Sequence, residues 1–297
     1  MSKILAPPER PKYAAANVAQ SVVKWAGGKK GLLASLLPLV PESVGRYIEP
    51  FAGGAALFFA LASESPRRFA KATLADTNAD LVALYQALKT DVEGLIESLG
   101  AYRYEEEMFY ATRDIDPATL SPVARGARLL YLNKTCFNGL WRVNSKGKFN
   151  VPFGRFVNPK IIDPPRLREA AKALKLATIK KADFMQATKN AAPGDFVYFD
   201  PPYVPVSSTA NFTAYGSAGF GPLEQQRLVE ELMRLKKAKV RAVLSNADTP
   251  GTRELYARFA VRVVHMRRSI NRDTDKRGLS PELLVNNWEK PGLKEES

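Results

Sequence analysis

Asp200-Pro201-Pro202-Tyr203 directly follows the apolar run Phe196-Val-Tyr-Phe199. An acid at the end of a buried strand can accept hydrogen bonds. Two prolines after it fix φ and remove two backbone donors, leaving carbonyls that only accept. These parts suit an amino nitrogen whose lone pair is delocalised into a ring, as in adenine. Asp200 and a neighbouring proline carbonyl would take its two N–H groups and localise that lone pair for attack, and Tyr203 would stack on the purine. A base in a duplex reaches such a pocket only by leaving the stack. The alternative is a strand stopped by a turn, with Asp200 as an ordinary cap.

A second constellation lies earlier. Glu49-Pro-Phe51-Ala-Gly53-Gly follows one apolar run and precedes another. Glycines there let a backbone approach a ligand without a Cβ, and the helix start that follows offers unpaired N–H donors. Asp76 stands 23 residues after Gly53. In Rossmann-like sheets an acid at about that spacing accepts from ribose hydroxyls. The pair implies a nucleoside-containing cofactor. A plain tight turn and a helix-capping acid are the competing explanations.

The elements that must hold these residues follow from periodicity. Arg46 to Phe51 is expected to be a buried strand and Ala55 to Ala62 a helix. Ala70 to Leu74 is expected to be a second strand that ends at Asp76, with Asn78 capping a helix through Leu88. Strand, glycine turn, helix, strand, acid and helix open a doubly wound parallel sheet. Later strands are expected at Thr178-Ile179, Phe196 to Phe199, Arg241 to Leu244, Ala260 to Val264 and Leu283 to Val285. Helices are expected at Leu223 to Lys236 and Thr252 to Arg258. Met1 to Ser21, with Pro7, Pro8 and Pro11, is expected to be a loose tail.

Residues 91–159 break this rhythm. Charged helical segments (Glu93 to Leu99, Tyr102 to Thr112, Val123 to Leu132) give way to Asn138-Gly139 and Ser145-Lys-Gly-Lys148, with Trp141, Val143 and Phe149 around them. Turn residues between β-formers predict a hairpin. The expected organisation is residues 1–90 and 160–297 forming one catalytic domain, with 91–159 inserted as a recognition module.

The net charge is +14, and it is concentrated. From Pro117 to Ala182 there are fourteen Lys or Arg against two acids, Asp163 and Glu169, whereas the rest of the chain holds 30 bases and 28 acids. A near-neutral body with one basic segment suits a polyanion. Arg267, Arg268, Arg272, Lys276 and Arg277 form a second run, either a phosphate track or a solvated loop.

Asp200-Pro-Pro-Tyr203, Lys24-Trp25-Ala-Gly-Gly-Lys29 and Glu49-Pro-Phe-Ala-Gly-Gly54 together resemble the Dam-type DNA adenine-N6 methyltransferases. The likeness continues through Asp76, Tyr131-Leu-Asn-Lys-Thr-Cys-Phe-Asn-Gly-Leu-Trp-Arg142 and Phe149-Asn-Val-Pro-Phe-Gly154, spanning roughly Lys24 to Trp288. It implies a class I methyltransferase (Rossmann-like) α/β sheet, S-adenosylmethionine as methyl donor and double-stranded DNA as partner. Trp25, Lys29, Glu49, Phe51, Gly53, Asp76 and Asp200 would line the cofactor pocket, and Asp200, Pro201, Pro202 and Tyr203 would form the catalytic motif. Phe137 would wedge into the duplex and Asn138 would sit by the base left unpaired. Lys24, Leu140, Arg142 and Pro152 would read bases, the set associated with GATC, and Lys146 and Lys148 would meet phosphates in the turn. Phe137 departs from the family in standing where tyrosine is also common, and Trp141 fills a variable position. A separately encoded cognate restriction endonuclease is a partner the resemblance allows, and no oligomer is required.

Several classes are disfavoured. One cysteine, Cys136, allows no internal disulfide, and with one histidine, His265, no Cys/His metal cluster forms. Cys136 has no Pro-Cys context for thiolate attack on a base. No apolar run has membrane-spanning length, and Met1 to Pro8 lacks a secretory pattern. The expectation is a metal-free protein of the cytoplasm, associated with the nucleoid. Adenine methylation in RNA is a weaker alternative, because such enzymes often carry Asn in place of Asp200 and lack the hairpin. A catalytically dead scaffold would show damaged motifs, and an oxidoreductase would leave the basic insert unexplained.

Overall fold

The computed structural model describes residues 18–203, 220–267, 279–290 and 292–295. One sheet of eight strands carries the fold: β1 (Val44–Glu49), β2 (Phe69–Asp76), β3 (Ala177–Lys181), β4 (Phe196–Phe199), β5 (Arg241–Ala247), β6 (Ala260–Arg267), β7 (Leu279–Asn286) and β8 (Gly292–Glu295). Their spatial order is β3-β2-β1-β4-β5-β7-β6-β8. The five strands from β3 to β5 are parallel, whereas β7 runs antiparallel to both β5 and β6. That order, with its reversed seventh strand, is the class I methyltransferase sheet.

The parallel strands read as unbroken apolar runs because both faces are covered. Successive side chains go to opposite sides: Tyr47 and Tyr198 belong to one core, Ile48 and Val197 to the other. The first core lies under α1 (Leu33–Leu36), α2 (Ala56–Ala62), α3 (Ala79–Thr90), α6 (Pro122–Thr135) and α7 (Pro164–Leu174), the second under α8 (Phe184–Thr188) and α9 (Pro222–Lys237). Asn78 caps α3, its side chain accepting from the Asp80 and Leu81 amides at 3.0 and 3.1 Å.

The segment 91–159 contributes α4 (Val92–Gly100), α5 (Glu106–Asp114) and α6. Phe109, Leu129, Tyr131, Trp141 and Phe149 are buried in the same core as Tyr47, Phe58 and Tyr85 of the sheet region. α6 is buried along most of its length, sandwiched against α3 and α4.

Four expectations need correction. The sheet is not parallel throughout, since β7 is reversed, and β8 joins β6 as an additional strand. The hairpin forms only two antiparallel bridges, Cys136 with Phe153 and Val143 with Phe149. Asn138 and Gly139 do adopt the left-handed φ of 55° and 65° that an Asn-Gly turn favours, closed by the Leu140 amide on the Phe137 carbonyl. Yet that turn continues α6, and its flanks bond elsewhere. The reversal is made at the other expected turn, Ser145 to Lys148, where the Asn144 amide donates to the Lys148 carbonyl. The end of the expected tail is anchored: Ala19 is buried, and the Ser21 hydroxyl donates to the Val23 carbonyl at 2.9 Å. Finally, the last short helix starts at Pro250 (α10, Pro250–Leu255) rather than Thr252, which serves its N-terminal cap. Residues 1–17 and the basic run from Arg268 to Arg277 lie outside the described residues.

Candidate active site

β1, β2 and β4 end at the same edge, where the strand order reverses between β1 and β4; open α/β sheets place ligands at that switch point. The three chemistry-bearing segments all emerge there.

In the loop after β1, Gly53 has φ +44°, and a Cβ on it would come within 2.8 Å of the Trp25 ring. Its amide donates to Asp76 Oδ2 at 3.0 Å, and its carbonyl accepts from the Tyr85 hydroxyl at 2.6 Å. Asp76 Oδ1 accepts from the Asn78 amide at 2.8 Å. Asp76 therefore braces the glycine turn and the start of α3 together. Burial pushes its carboxyl up, against the backbone donors of Asn78, Gly53 and Thr77. Glu49 is buried beneath the turn, accepting from the Tyr47 hydroxyl at 2.9 Å. Burial holds it well above the carboxylate range, and the charge of Asp200 adds to that. Phe51 packs between Phe184 and Phe220, with ring centroids 5.6 and 5.5 Å away.

Asp200 anchors the second half. Its Oδ1 pairs with Lys29 Nζ at 2.7 Å and accepts from Ser245 Oγ at 3.0 Å. The single hydroxyl proton of Ser245 is then committed, so the Tyr198 hydroxyl 3.0 Å away donates to Ser245. No described residue bonds to Oδ2. The Lys29 side chain is 3% exposed, whereas that of Asp200 is 20% exposed and reachable. Burial pushes the Asp200 carboxyl up, with the Lys29 ammonium and the Ser245 hydroxyl opposing. Lys29 also donates to the Gly27 carbonyl and lies 4.5 Å from the Tyr203 ring centre. The Tyr203 hydroxyl donates to Glu282 Oε2 at 2.6 Å, which fixes the ring plane beside Asp200. Pro201 is buried, and the Pro202 carbonyl lies 3.5 Å from Gln225 Nε2. The result is a carboxylate with one oxygen anchored and the other without a partner among the described residues, a clamped aromatic ring and a buried cation between them.

Ser245, Glu282, Tyr198, Tyr85 and Tyr47 were not singled out by motif. Ser245-Asn246 at the end of the buried β5 and a lone acid, Glu282, in an apolar strand are the signals that point to two of them.

The expected DNA contacts form a separate group at the surface. Lys24 and Asn138 are exposed, and the Phe137 ring is 42% exposed. Arg142 is exposed, with Nε donating to Asn150 Oδ1 at 2.8 Å. Lys146 and Lys148 flank the turn tip, their amides held by Asn144 Oδ1. The exposed Pro152 accepts the Phe137 amide at 2.9 Å. Leu140 differs: it is half-buried against the core. Trp141 is buried and stacks on Trp25 with centroids 6.0 Å apart. Burial pushes the Cys136 thiol up to about 12, which disfavours the thiolate a covalent route would need. His265 is exposed on β6. Among the described residues there is no group of three His, Cys, Asp or Glu side chains suited to a metal ion, and no helix long and apolar enough to cross a membrane.

A family model described as D12 class N6 adenine-specific DNA methyltransferase matches residues 25–270. Type II methyltransferase M1.LlaDCHI of Lactococcus lactis subsp. cremoris is 40% identical over 273 residues, covering 89% of this chain and 94% of the relative. Type II methyltransferase M.MjaIII of Methanocaldococcus jannaschii is 38% identical, covering 90% and 98%. The DNA adenine methylase of Escherichia coli (strain K12) is 34% identical, covering 92% and 96%. Among solved structures, the rRNA methyltransferase aviRa from Streptomyces viridochromogenes aligns over 94% of both chains at 15% identity with a TM-score of 0.37, a likeness too loose to weigh beside the strand order.

Proposed function

The chain belongs to the D12 class N6 adenine-specific DNA methyltransferases, and on that footing we propose that it methylates N6 of an adenine flipped out of duplex DNA, using S-adenosylmethionine, within the sequence GATC. The observation that carries this proposal is the half-anchored carboxylate of Asp200 at the switch point, with its Oδ1 taken by Lys29 and Ser245.

The cofactor side is supported by the loop geometry. A Cβ at Gly53 would strike Trp25, so the turn is shaped for close approach, and Asp76 presents a carboxylate at its rim. Trp25, Lys29, Glu49, Phe51, Gly53 and Asp76 would hold S-adenosylmethionine there. When bound, it supplies a methyl group on a sulfonium, the driving force for the reaction.

On the substrate side, Asp200 Oδ2 would accept one N–H of the adenine amino group and the carbonyl of Pro201 or Pro202 the other. Accepting both turns the nitrogen lone pair out of the ring and toward the donor. As positive charge grows on the nitrogen, the contact with Asp200 strengthens, which is where it lowers the barrier. Asp200 Oδ2 then holds the proton that the nitrogen must lose. Tyr203, clamped by Glu282, would stack on the base, and the Lys29 ammonium beside Asp200 opposes the upward push of burial on its carboxyl. Direct in-line displacement needs positioning rather than a covalent intermediate.

The basic segment from Pro117 to Ala182 would supply phosphate contacts. Phe137 would fill the gap left by the flipped base and Asn138 would face the orphaned partner. Lys24, Leu140, Arg142 and Pro152 match base-reading positions of the Dam-type relatives, which supports GATC. The test is radiolabelled methyl transfer to a GATC duplex, to duplexes with one base pair changed, to RNA and to no acceptor. Label confined to GATC adenine is the expected result. Equal labelling of every duplex would remove the specificity claim, and labelling of RNA alone would remove the substrate claim.

A further inference from the structure

The base-reading surface and the cofactor pocket meet at one buried side chain that neither constellation includes. Asn133, in the last turn of α6, is 1% exposed. Its Oδ1 accepts the Lys24 amide at 2.9 Å, and its Nδ2 donates to the Lys24 carbonyl at 2.8 Å and to the Gly139 carbonyl at 3.0 Å. A side-chain amide thus pairs both backbone groups of Lys24, as a neighbouring strand would, and ties them to the turn that carries Asn138. Packing closes the same joint twice more. A Cβ on Gly139 would lie 2.6 Å from Lys24 Cδ, and Trp25 stacks on Trp141 with an interplanar angle of 19°. The other edge of Trp25 rests on Gly53.

We propose that Asn133 is a positioning residue that locks the segment Lys24-Trp25 onto the turn Phe137-Gly139, so that cofactor binding and duplex binding order one shared joint and favour each other. The proposal rests on the cofactor and DNA roles argued above. Its physical basis is that both ligands press on the joint from opposite sides. A ligand on the Trp25 and Gly53 side restrains Lys24 through one peptide bond, and Lys24 restrains Gly139 through the amide of Asn133. Whichever ligand binds first removes freedom the second would otherwise have to remove. The coupling must be reciprocal: duplex tightens the cofactor by the factor by which cofactor tightens the duplex.

The experiment uses the full chain, S-adenosylhomocysteine as the cofactor probe and a GATC duplex. Calorimetry gives the dissociation constant of the probe with and without saturating duplex, and anisotropy gives that of the duplex with and without probe. In the unaltered protein both ratios are expected to agree and to be about five-fold or more. Asn133→Asp keeps the size and the acceptor for the Lys24 amide but sets carboxylate oxygen against two carbonyls. It is expected to bring both ratios close to one. A merely structural asparagine would give weaker binding of both ligands with the ratio unchanged, and that result overturns the proposal, as does a ratio of one in the unaltered protein. Should Asn133→Asp not fold, hydrogen exchange on the unaltered protein decides. Probe alone should slow the Gly139 and Leu140 amides several-fold, and unchanged rates there overturn the coupling. Failure of the unaltered protein to bind either ligand would instead strike at the proposed function itself, and is distinguishable from binding without coupling.

Discussion

The centre around Asp200 and the turn around Arg142 carry charge in opposite ways. Around Asp200 the polar side chains hold one another, while Oδ2 has no partner among the described residues: Lys29 with Asp200 and Gly27, Ser245 with Asp200 and Tyr198, Tyr203 with Glu282, Asp76 with Gly53 and Asn78. At the turn, Arg142, Lys146 and Lys148 stand exposed; the bonds there hold the lysines by their backbone and tie the Arg142 guanidinium to Asn150 alone among the described residues. A site that stabilises charge developing in a transition state has to be oriented before the reaction starts, so its dipoles are fixed in a dry setting. A surface that meets a polyanion is better left solvated, because its cations gain partners and release counterions only on contact. Substitutions at the two regions should therefore fail differently.

The largest effect is expected at Asp200. On the proposed mechanism Asp200→Ala would remove an acceptor that strengthens in the transition state, and it should lower kcat by about 100- to 1,000-fold with the fold retained. Single-turnover kinetics with circular dichroism as the fold control measures it. Retention of more than about a tenth of turnover, a barrier change under ~1.4 kcal/mol, would show that the carboxylate is not the acceptor.

Lys29→Gln probes the same centre through pH. Burial raises the Asp200 carboxyl and Lys29 draws it back. Without the ammonium, the carboxyl rises further and a smaller fraction is ionised at any given acidic pH. Only the ionised form accepts the amino N–H on both counts of charge and geometry, so activity falls as pH falls through the Asp200 pKa. The acid limb of the pH–kcat profile should move to higher pH, with the deficit greatest at acid pH and shrinking as pH rises. A deficit that is the same at every pH would assign Lys29 to cofactor binding alone. Asp76→Ala should act on binding rather than chemistry: a ribose contact is nearly uniform between ground and transition states. It should weaken S-adenosylhomocysteine by about 1–3 kcal/mol, the cost typical of stranding a hydrogen-bonding partner. Since Asp76 also braces Gly53 and Asn78, the cofactor-free protein should melt slightly lower, which calorimetric scanning would show.

How much of this was legible in the sequence follows the same division. The parallel strands announce themselves because burial on both faces leaves only apolar side chains, and Asn78 and Asp76 sit where local capping chemistry requires them. Asp200-Pro-Pro-Tyr203 is local too. The partners that orient it are not: Lys29, Ser245 and Glu282 reach it from the start of the chain, from β5 and from β7, and only the strand order brings them together. Strand direction is likewise absent from composition, so the reversed β7 reads like its neighbours. In the insert, the Asn-Gly signal correctly specified a left-handed turn at Asn138. It did not specify what pairs with what, because Cys136 finds Phe153 and Val143 finds Phe149 across a second turn. Trp141, which fills a variable position of the resemblance, is buried against Trp25, a contact that no local signal specifies.

At the surface the effects should be smaller and should fall on recognition. Arg142→Ala is expected to relax the choice at one base pair by roughly 1–3 kcal/mol, since its guanidinium is the side chain of the turn able to grip guanine O6 and N7 together. Asn150 holds Nε, so Asn150→Ala should loosen the same position by less, about 0.5–1.5 kcal/mol, by freeing the fork to rotate. Competition binding against duplexes substituted at each position measures both. An equal loss for every duplex would make Arg142 a phosphate contact.

The smallest expected effect belongs to Lys146 and Lys148, and it separates the two regions most sharply. Both flank Gly147 at the tip of the turn, exposed, with their backbone rather than their ammonium groups held by Asn144. A long flexible cation at a loop tip suits a phosphate, which is identical at every base pair, better than a base edge. Replacing either by Ala should therefore weaken all duplexes alike. The loss should shrink as salt rises, because the counterion that the lost contact would have released no longer contributes. The plot of log affinity against log salt should flatten by about 0.9 per contact removed. Turnover on saturating duplex should hardly change, since nothing around Asp200 depends on these side chains. Anisotropy titrations at several salt concentrations, on GATC and substituted duplexes, give the slope directly. A drop in kcat with an unchanged salt slope would mean that the turn tip reaches the buried centre, and that the two regions are not separable in the way their charges suggest.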